Sequence, residues 1–386
     1  MSSITLEKMS NKTYDTIIIG AGISGLACAR QLEKYDQDFQ IISKDIGGRI
    51  LTSEDKSVNY GAFFVCSDYK NVLKYVTLKS RIRLRDFCFH ENNNTYALFE
   101  PKLIRYISQF LKTYKLLFRF RKKLRLLRKN SEIISQKKAI ENDSFLHGLY
   151  MQKASDFIKE NRIVSGTDMY LSKALYSTTF SEVSEMNAFS FLQFLLPLVT
   201  PIFTFKFEKE KMIKPFQDKI KIGSVTDIKF KDDKYKIKTN DDILYSKNIV
   251  LATDIFWSKD FAGVKKANIT VNTNMLHVKG IAKKEISWKN YQLFSPPGNI
   301  QAVANLKDGN YLLYYKNKAP SLKNYFEKFQ IIAHKLWSPA GTINGHILIE
   351  SNRGNNMYLI GDCNVAGLEE AYITGLFSAN QIIQSY

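Results

Sequence analysis

The chain has 386 residues, 45% hydrophobic and 13% aromatic, and a formal net charge of +19. That apolar content excludes a disordered protein, and the length exceeds what one compact layer arrangement serves, so two connected domains are expected. Cys28, Cys66, Cys88 and Cys363 lie far apart without a C-x-x-C pair, which argues against a zinc site and a disulfide scaffold and for a reducing, cytoplasmic compartment.

In chain order, the first 13 residues are polar and of mixed charge, lack the apolar centre of a secretory signal, and read as a loose tail. Residues 16–20, TIIIG, predict a buried strand that runs directly into Gly20-Ala21-Gly22-Ile23-Ser24-Gly25 and a helix over SGLACARQLEKY. G-x-G-x-x-G between strand and helix is the dinucleotide-binding context. Gly20 permits the tight turn, Gly22 lets backbone approach a diphosphate, and Gly25 lets helix and strand pack closely. The helix N-terminus would face the phosphates with its positive end.

A second strand, FQIIS, follows. A nicotinamide-binding unit usually ends this strand in an acidic residue that holds the ribose. Ser43 and Lys44 stand there instead, and Asp45 comes slightly late. Gly47, Gly48 and Arg49 come next, then VNYGAFFV with Gly61 and Ala62. They would bring a second backbone segment and a guanidinium to the same diphosphate.

Residues 102–130 carry eleven Lys or Arg and no acid, with apolar residues between them at roughly helical spacing. Three readings fit this run: a solvated helix whose long side chains cover the substrate domain, docking on an anionic membrane surface, or nucleic-acid binding. No reading motif accompanies the charge, so no nucleic-acid partner is expected. The apolar stretch 189–205 is broken by Gln193, Pro197 and Pro201 and is too short to span a bilayer. Short strands are predicted between 205 and 255, and a final strand over MYLIGD leads through a glycine-containing turn into a terminal helix.

The glycine fingerprint, the G-G-R that follows and the closing strand with Gly361-Asp362 resemble the flavin amine oxidase and phytoene desaturase superfamily, which includes protoporphyrinogen oxidases. The resemblance implies an α/β protein: a Rossmann-like FAD-binding domain, a parallel sheet with helices, joined to an α+β substrate domain with a helical basic subdomain. It divides the chain into FAD-binding segments 14–75, 205–262 and 350–386, a mainly helical substrate or membrane-facing segment 76–204, and a substrate sheet 263–349. FAD is the implied cofactor. By resemblance Val225 in GSVTDI would hold the adenine by its backbone, Ala252 in NIVLATD would close the nucleotide half, and Asp362 would accept a hydrogen bond from a ribityl hydroxyl. Glu370 and Ala371 would begin the helix whose N-terminus faces the flavin's pyrimidine edge.

The chain departs from the family pattern at Glu370, where a glycine is usual, and at the missing acid after the second strand. Amine oxidases resemble one another in a lysine near the reactive flavin nitrogen, and Lys279 stands near that place, although in so lysine-rich a chain it reads more readily as a surface lysine. His277 beside it reads as a strand residue packing on a neighbour, and the histidines show no metal spacing. Trp337 in LWSPAGT either flanks a substrate cavity or packs in a core. Cys363 reads as an apolar strand-end thiol rather than a flavin attachment point. The implied activity is hydride transfer from a C–N or C–C bond of an apolar small molecule to FAD. The alternative is a redox-neutral isomerase or a structural, membrane-associated FAD protein. The expected location is cytoplasmic, peripheral on the inner face of a membrane if the basic run docks there.

Overall fold

The computed structural model describes residues 13–92 and 94–385. Of the polar tail, residues 1–12 lie outside the described residues. Strand β1, Thr13–Ala21, leads into helix α1, Ile23–Lys34, and strand β2, Phe39–Ile46. Ile17, Ile18 and Ile19 are all buried, because β1 is a central strand covered on both faces and cannot alternate. It pairs in parallel with β2 (Thr16 opposite Phe39) and with Ile243–Leu251 (Thr16 opposite Asn248).

Ile220–Ile222 adds in parallel beyond β2, and Met357–Leu359 pairs in parallel alongside the last three residues of Ile243–Leu251. A hairpin, Val225–Lys231 with Lys234–Thr239, lies antiparallel against the start of that same strand. Three distant stretches of chain therefore complete one nucleotide-type sheet, with its ligand face at the carboxyl ends of the parallel strands.

Helix α1 packs against the terminal helix Leu368–Gln384, whose buried face includes Ala371, Ile373, Ala379 and Ile382. The helices approach so closely that a Cβ on Gly375 would lie 2.1 Å from the Ser24 carbonyl oxygen.

A second sheet holds, in spatial order, Phe326–Asn344, Ile269–Ala282, Asn310–Tyr315, Ile300–Lys307, Tyr291–Phe294, Phe87–Glu91 and Asn94–Ala97. A small third sheet places Ile202–Phe207 between Val65–Cys66 and Val76–Ile82. Part of the expected mainly helical segment 76–204 is thus strand. Val76–Ile82 is an edge strand with an almost wholly solvated TLKSR stretch, so no apolar alternation announced it.

The remainder of that segment is helical. In helix α2, Ile107–Asn130, the residues Leu117, Phe120, Leu124 and Leu127 form one buried stripe, with Phe120 edge-on to Phe189 at 5.0 Å between centroids. In the apolar stretch 189–205, Phe189, Phe191 and Leu192 are buried in the core, while Gln193 to Leu198 and Ile202 line a cavity. No helix among the described residues is long and apolar enough to cross a membrane.

Replacing Gly375 by alanine weighs two opposing effects. Alanine is worth about 1 kcal/mol over glycine in a helix interior, but its methyl would strike backbone that cannot move without separating α1 from the terminal helix. Gly375→Ala is therefore expected to destabilise the fold by about 1–3 kcal/mol, the usual range for overpacking, as read by urea unfolding. A neutral or stabilised variant would show that the two helices separate freely.

Candidate functional site

A cavity of about 800 Å³ runs from the β1–α1 turn into the space between the nucleotide sheet and the second sheet. Its glycines divide by cause. Gly20 (φ +106°) would place a Cβ 2.7 Å from the Ala252 carbonyl oxygen, and Gly25 would place one 2.0 Å from that of Gly20, so both are bare because protein backbone lies against them. Gly22 also lines the cavity, yet a Cβ there would meet no protein atom within 4 Å. Its bareness serves whatever enters the cavity.

Ala21, Ile23 and Ser24 complete this wall, and the first N–H groups of α1 have no carbonyl of a preceding turn to bond. The second glycine segment is tied directly to the first: Gly47 N–H donates to Ala21 O (2.9 Å), and a Cβ on Gly48 would come within 3.1 Å of Gly22 Cα. The third is tied to the second, with Ala62 N–H donating to Arg49 O (2.9 Å) and Gly61 facing the same oxygen. Together they form one backbone surface with a positive helix end at its centre.

Ser43 and Lys44 both line the cavity. The Ser43 hydroxyl is already engaged, accepting from Ala21 N–H (3.0 Å) and donating to Asp45 O (2.7 Å), so it fixes the end of β2 to the glycine turn. Lys44 is exposed at the rim. Val225 and Ala252 lie on the wall beyond, with Gly223 and Ser224 of the same GSVTDI segment and with Trp257, which no sequence motif singled out.

Arg49 and Asp362 meet as a bidentate pair, Nη1 to Oδ2 at 2.6 Å and Nη2 to Oδ1 at 2.8 Å. Arg49 Nη1 also donates to Ala340 O (3.3 Å), and Thr342 N–H to Asp362 Oδ2 (3.3 Å). Burial works against ionisation of Asp362, but the Arg49 guanidinium and these hydrogen bonds outweigh it and hold the carboxyl below the usual range. Gly361 lies beside it, its N–H donating to Thr374 Oγ1 (2.9 Å) on the terminal helix. The two residues expected to reach for separate parts of a cofactor thus hold each other at the cavity wall.

Ala371 lines the cavity, whereas the Glu370 carboxylate turns aside to Arg128, accepting at Oε1 from Nε (2.9 Å) and Nη2 (2.7 Å). Burial raises the Glu370 carboxyl above its ordinary value, against the opposing pull of Arg128. Arg128 itself borders the cavity from the end of α2, a placement that an unbroken run of cations could not single out. Its neighbour Glu369 is buried and accepts from the N–H groups of Lys70, Asn71 and Val72 (2.9, 2.8 and 2.9 Å), fastening the terminal helix to the 70–72 turn.

The far end of the cavity is an apolar chamber walled by Phe89, Leu98, Phe110, Tyr170 and Leu293, among others, while the Trp337 ring lines the cavity beside Gly61. Trp337 is therefore a cavity residue, and its buried indole Nε1 has no hydrogen-bond partner among the described residues. Lys279 is not in this wall. It pairs across the sheet with Asn310 at the outer end of a hairpin and is exposed there, so it cannot serve as the lysine the resemblance implied. His277 is buried, with Nδ1 3.1 Å from the Tyr60 hydroxyl and Nε2 3.0 Å from Asn310 Oδ1. Apart from Cys66 and tyrosines, the ionisable side chains among the described cavity-lining residues are Lys44, Asp45, Arg49, Arg128, Asp254 and Asp362. Cys363 is outside this wall, and burial pushes its thiol up to about 12.

A family model described as an NAD(P)-binding Rossmann-like domain matches residues 18–77. No curated protein sequence matches the chain. Among solved structures it is similar to putrescine oxidase bound to putrescine (11% identity, TM-score 0.67, 96% of this chain and 99% of that one). It is also similar to cyclohexylamine oxidase from Brevibacterium oxydans (13%, TM-score 0.66, 96% and 98%). A third is a CLA-producing fatty acid isomerase from P. acnes (16%, TM-score 0.65, 97% and 99%). The chain thus has, over nearly its whole length, the fold found in amine oxidases, in keeping with the superfamily that its glycine and Gly-Asp motifs resemble.

A carboxyl held below its ordinary range stabilises the fold above about pH 4, and the stabilisation is lost as pH falls through the depressed value. With 38% of the Arg49 side chain open to the cavity, water screens the pair, so Asp362→Asn is expected to cost about 1–3 kcal/mol at neutral pH, less than a fully buried pair. Urea unfolding of both proteins should show that gap narrowing towards pH 3; a gap independent of pH would mean the carboxylate is not the stabilising species.

Proposed function

We propose that the protein is a FAD-dependent oxidoreductase that takes hydride from a C–C or C–N bond of an apolar small molecule. The observation that carries this reading is one continuous cavity joining a glycine-built, positively polarised cradle to an apolar chamber. The residues present suit FAD: Gly22 is bare towards the cavity with no protein contact to require it, and the Trp337 indole N–H is buried without a partner among the described residues. The first turn of α1, with Gly47 and Gly48 beside it, would hold the diphosphate through backbone N–H groups. Val225 and Ala252 would flank the adenine, and the terminal helix, from Gly367 to Ala371, would present its N-terminal end to the flavin's pyrimidine edge. When bound, FAD supplies the hydride acceptor.

The chain's own contribution is then to orient the substrate and exclude water. The aromatic and aliphatic chamber does both, and it brings no carboxylate that would hold an ammonium group. That favours an uncharged reacting centre. The lack of any lysine in the chamber favours a second reading, a redox-neutral isomerisation of an apolar chain, the type of reaction named for the fatty acid isomerase of the same fold.

Titration of the purified protein with FAD, followed by anaerobic mixing with apolar candidate substrates, tests both. Retention of a yellow chromophore is expected, with Gly22→Val weakening FAD binding at least about tenfold, or 1.4 kcal/mol. Bleaching of the visible flavin band marks the oxidoreductase, while an isomeric product without net bleaching marks the second reading. A protein that takes up no FAD sinks both.

A further inference from the structure

Helix α2 sorts its cations by face. Arg121 and Arg128 point inward and, with the more exposed Arg125, converge on Asp68 at 3.3, 3.5 and 3.8 Å, and Lys123 pairs with Asp143 at 2.7 Å. The other seven of the run, Lys102, Arg105, Lys112, Lys115, Arg119, Lys122 and Lys129, are all exposed. Between residues 102 and 130 no acid lies among them, and Glu100 just before is spent on Ala97 N–H.

The same outward face carries bulky apolar side chains. On α2, Leu111 is 59% and Phe118 58% exposed, spaced seven residues apart on one stripe beside the cations with Ile107 alongside, and Ile104 (71%) in the 3-10 turn Pro101–Tyr106 and Phe99 lie just ahead of the helix. This wall is thin: Leu98 and Phe110 line the apolar chamber, while their chain neighbours Phe99 and Leu111 face solvent.

We infer that this face, residues 99–122, is a docking surface for an anionic lipid bilayer, seated with the apolar stripe among the acyl chains and the flanking cations at the headgroups. The chemistry selects this occupant over others. A second copy meeting the same patch across a two-fold axis would set the six exposed cations of residues 99–122 against six. A nucleic acid would use the charge but has no need of an Ile and Leu stripe. An interfacial helix needs both at once. The inference goes beyond the proposed oxidoreduction and does not depend on it, although a chamber opening beside a bilayer would receive its substrate directly from the lipid phase.

Vesicle sedimentation of the full chain tests it, with phosphatidylcholine vesicles against the same vesicles containing phosphatidylserine. At low salt the wild type is expected to partition at least about tenfold better onto the anionic vesicles, and to lose much of that advantage at high salt. The triple variant Lys112→Glu, Lys115→Glu, Lys122→Glu should fall to the level seen with neutral vesicles. The triple variant Ile104→Ser, Leu111→Ser, Phe118→Ser should also release the bilayer, with thermal unfolding like the wild type, because all six positions are exposed. Equal partitioning onto both vesicle types would overturn the inference. Duplex DNA binding that outcompetes vesicles and ignores the serine variant would also overturn it, as would a dimer in light scattering that the serine variant dissolves.

Discussion

The ion pair between Arg49 and Asp362 is the point on which the architecture turns. The two residues are 313 positions apart, and their bidentate contact also takes in Ala340 O and Thr342 N–H from the long strand of the second sheet. One side-chain contact therefore joins the N-terminal glycine segments, the closing strand of the nucleotide sheet and the substrate-side sheet. Most other bonds that build the cradle are made by backbone, and backbone alone cannot choose which distant segment completes it. A guanidinium and a carboxylate of matched geometry can.

The basic excess of the chain has two structural fates. Arg128 enters the interior because Glu370 and Asp68 compensate it, and Glu370 tolerates burial because Arg128 reaches it. Each would be costly alone. The departure of Glu370 from a glycine pattern is thus half of a pair whose other half lies on α2, and the pair fastens the helical lobe to the first turn of the terminal helix. Asp68 gathers two further arginines of the same helix, so the inner half of the charge run is a structural staple and only the outer half is left to face a partner.

Much of the nucleotide half was legible because its constraints are local. A buried apolar strand, G-x-G-x-x-G and a helix lie consecutively, and each glycine's reason can be argued from spacing: Gly20 and Gly25 do abut backbone, and Gly22 does face open space. Asp362 was legible as a polar residue at the tip of an apolar strand, but its partner was not, since sequence spacing carries no information on a contact 313 positions away. Lys279 misled because a resemblance gives the strand and not its position along the strand. Val271 on the same strand lines the cavity, and eight residues at about 3.3 Å each carry the strand from there to Lys279 at the solvated hairpin end. Glu370 misled for a related reason: helix position was right, and side-chain direction was set by a cation on another element. The strands between 76 and 97 escaped notice because edge and two-face-covered strands both lack alternation.

Completion of the parallel sheet by Met357–Leu359, and of its covering layer by Leu368–Gln384, has a consequence for biosynthesis. The glycine turn leaves the ribosome more than three hundred residues ahead of its opposing wall. Closure of the cavity is therefore late relative to synthesis of the glycine turn. Until then the half-built sheet exposes Ile18, Leu26 and Ala27 against surfaces not yet synthesised, a condition under which chaperone retention and translation speed decide how much of the product matures.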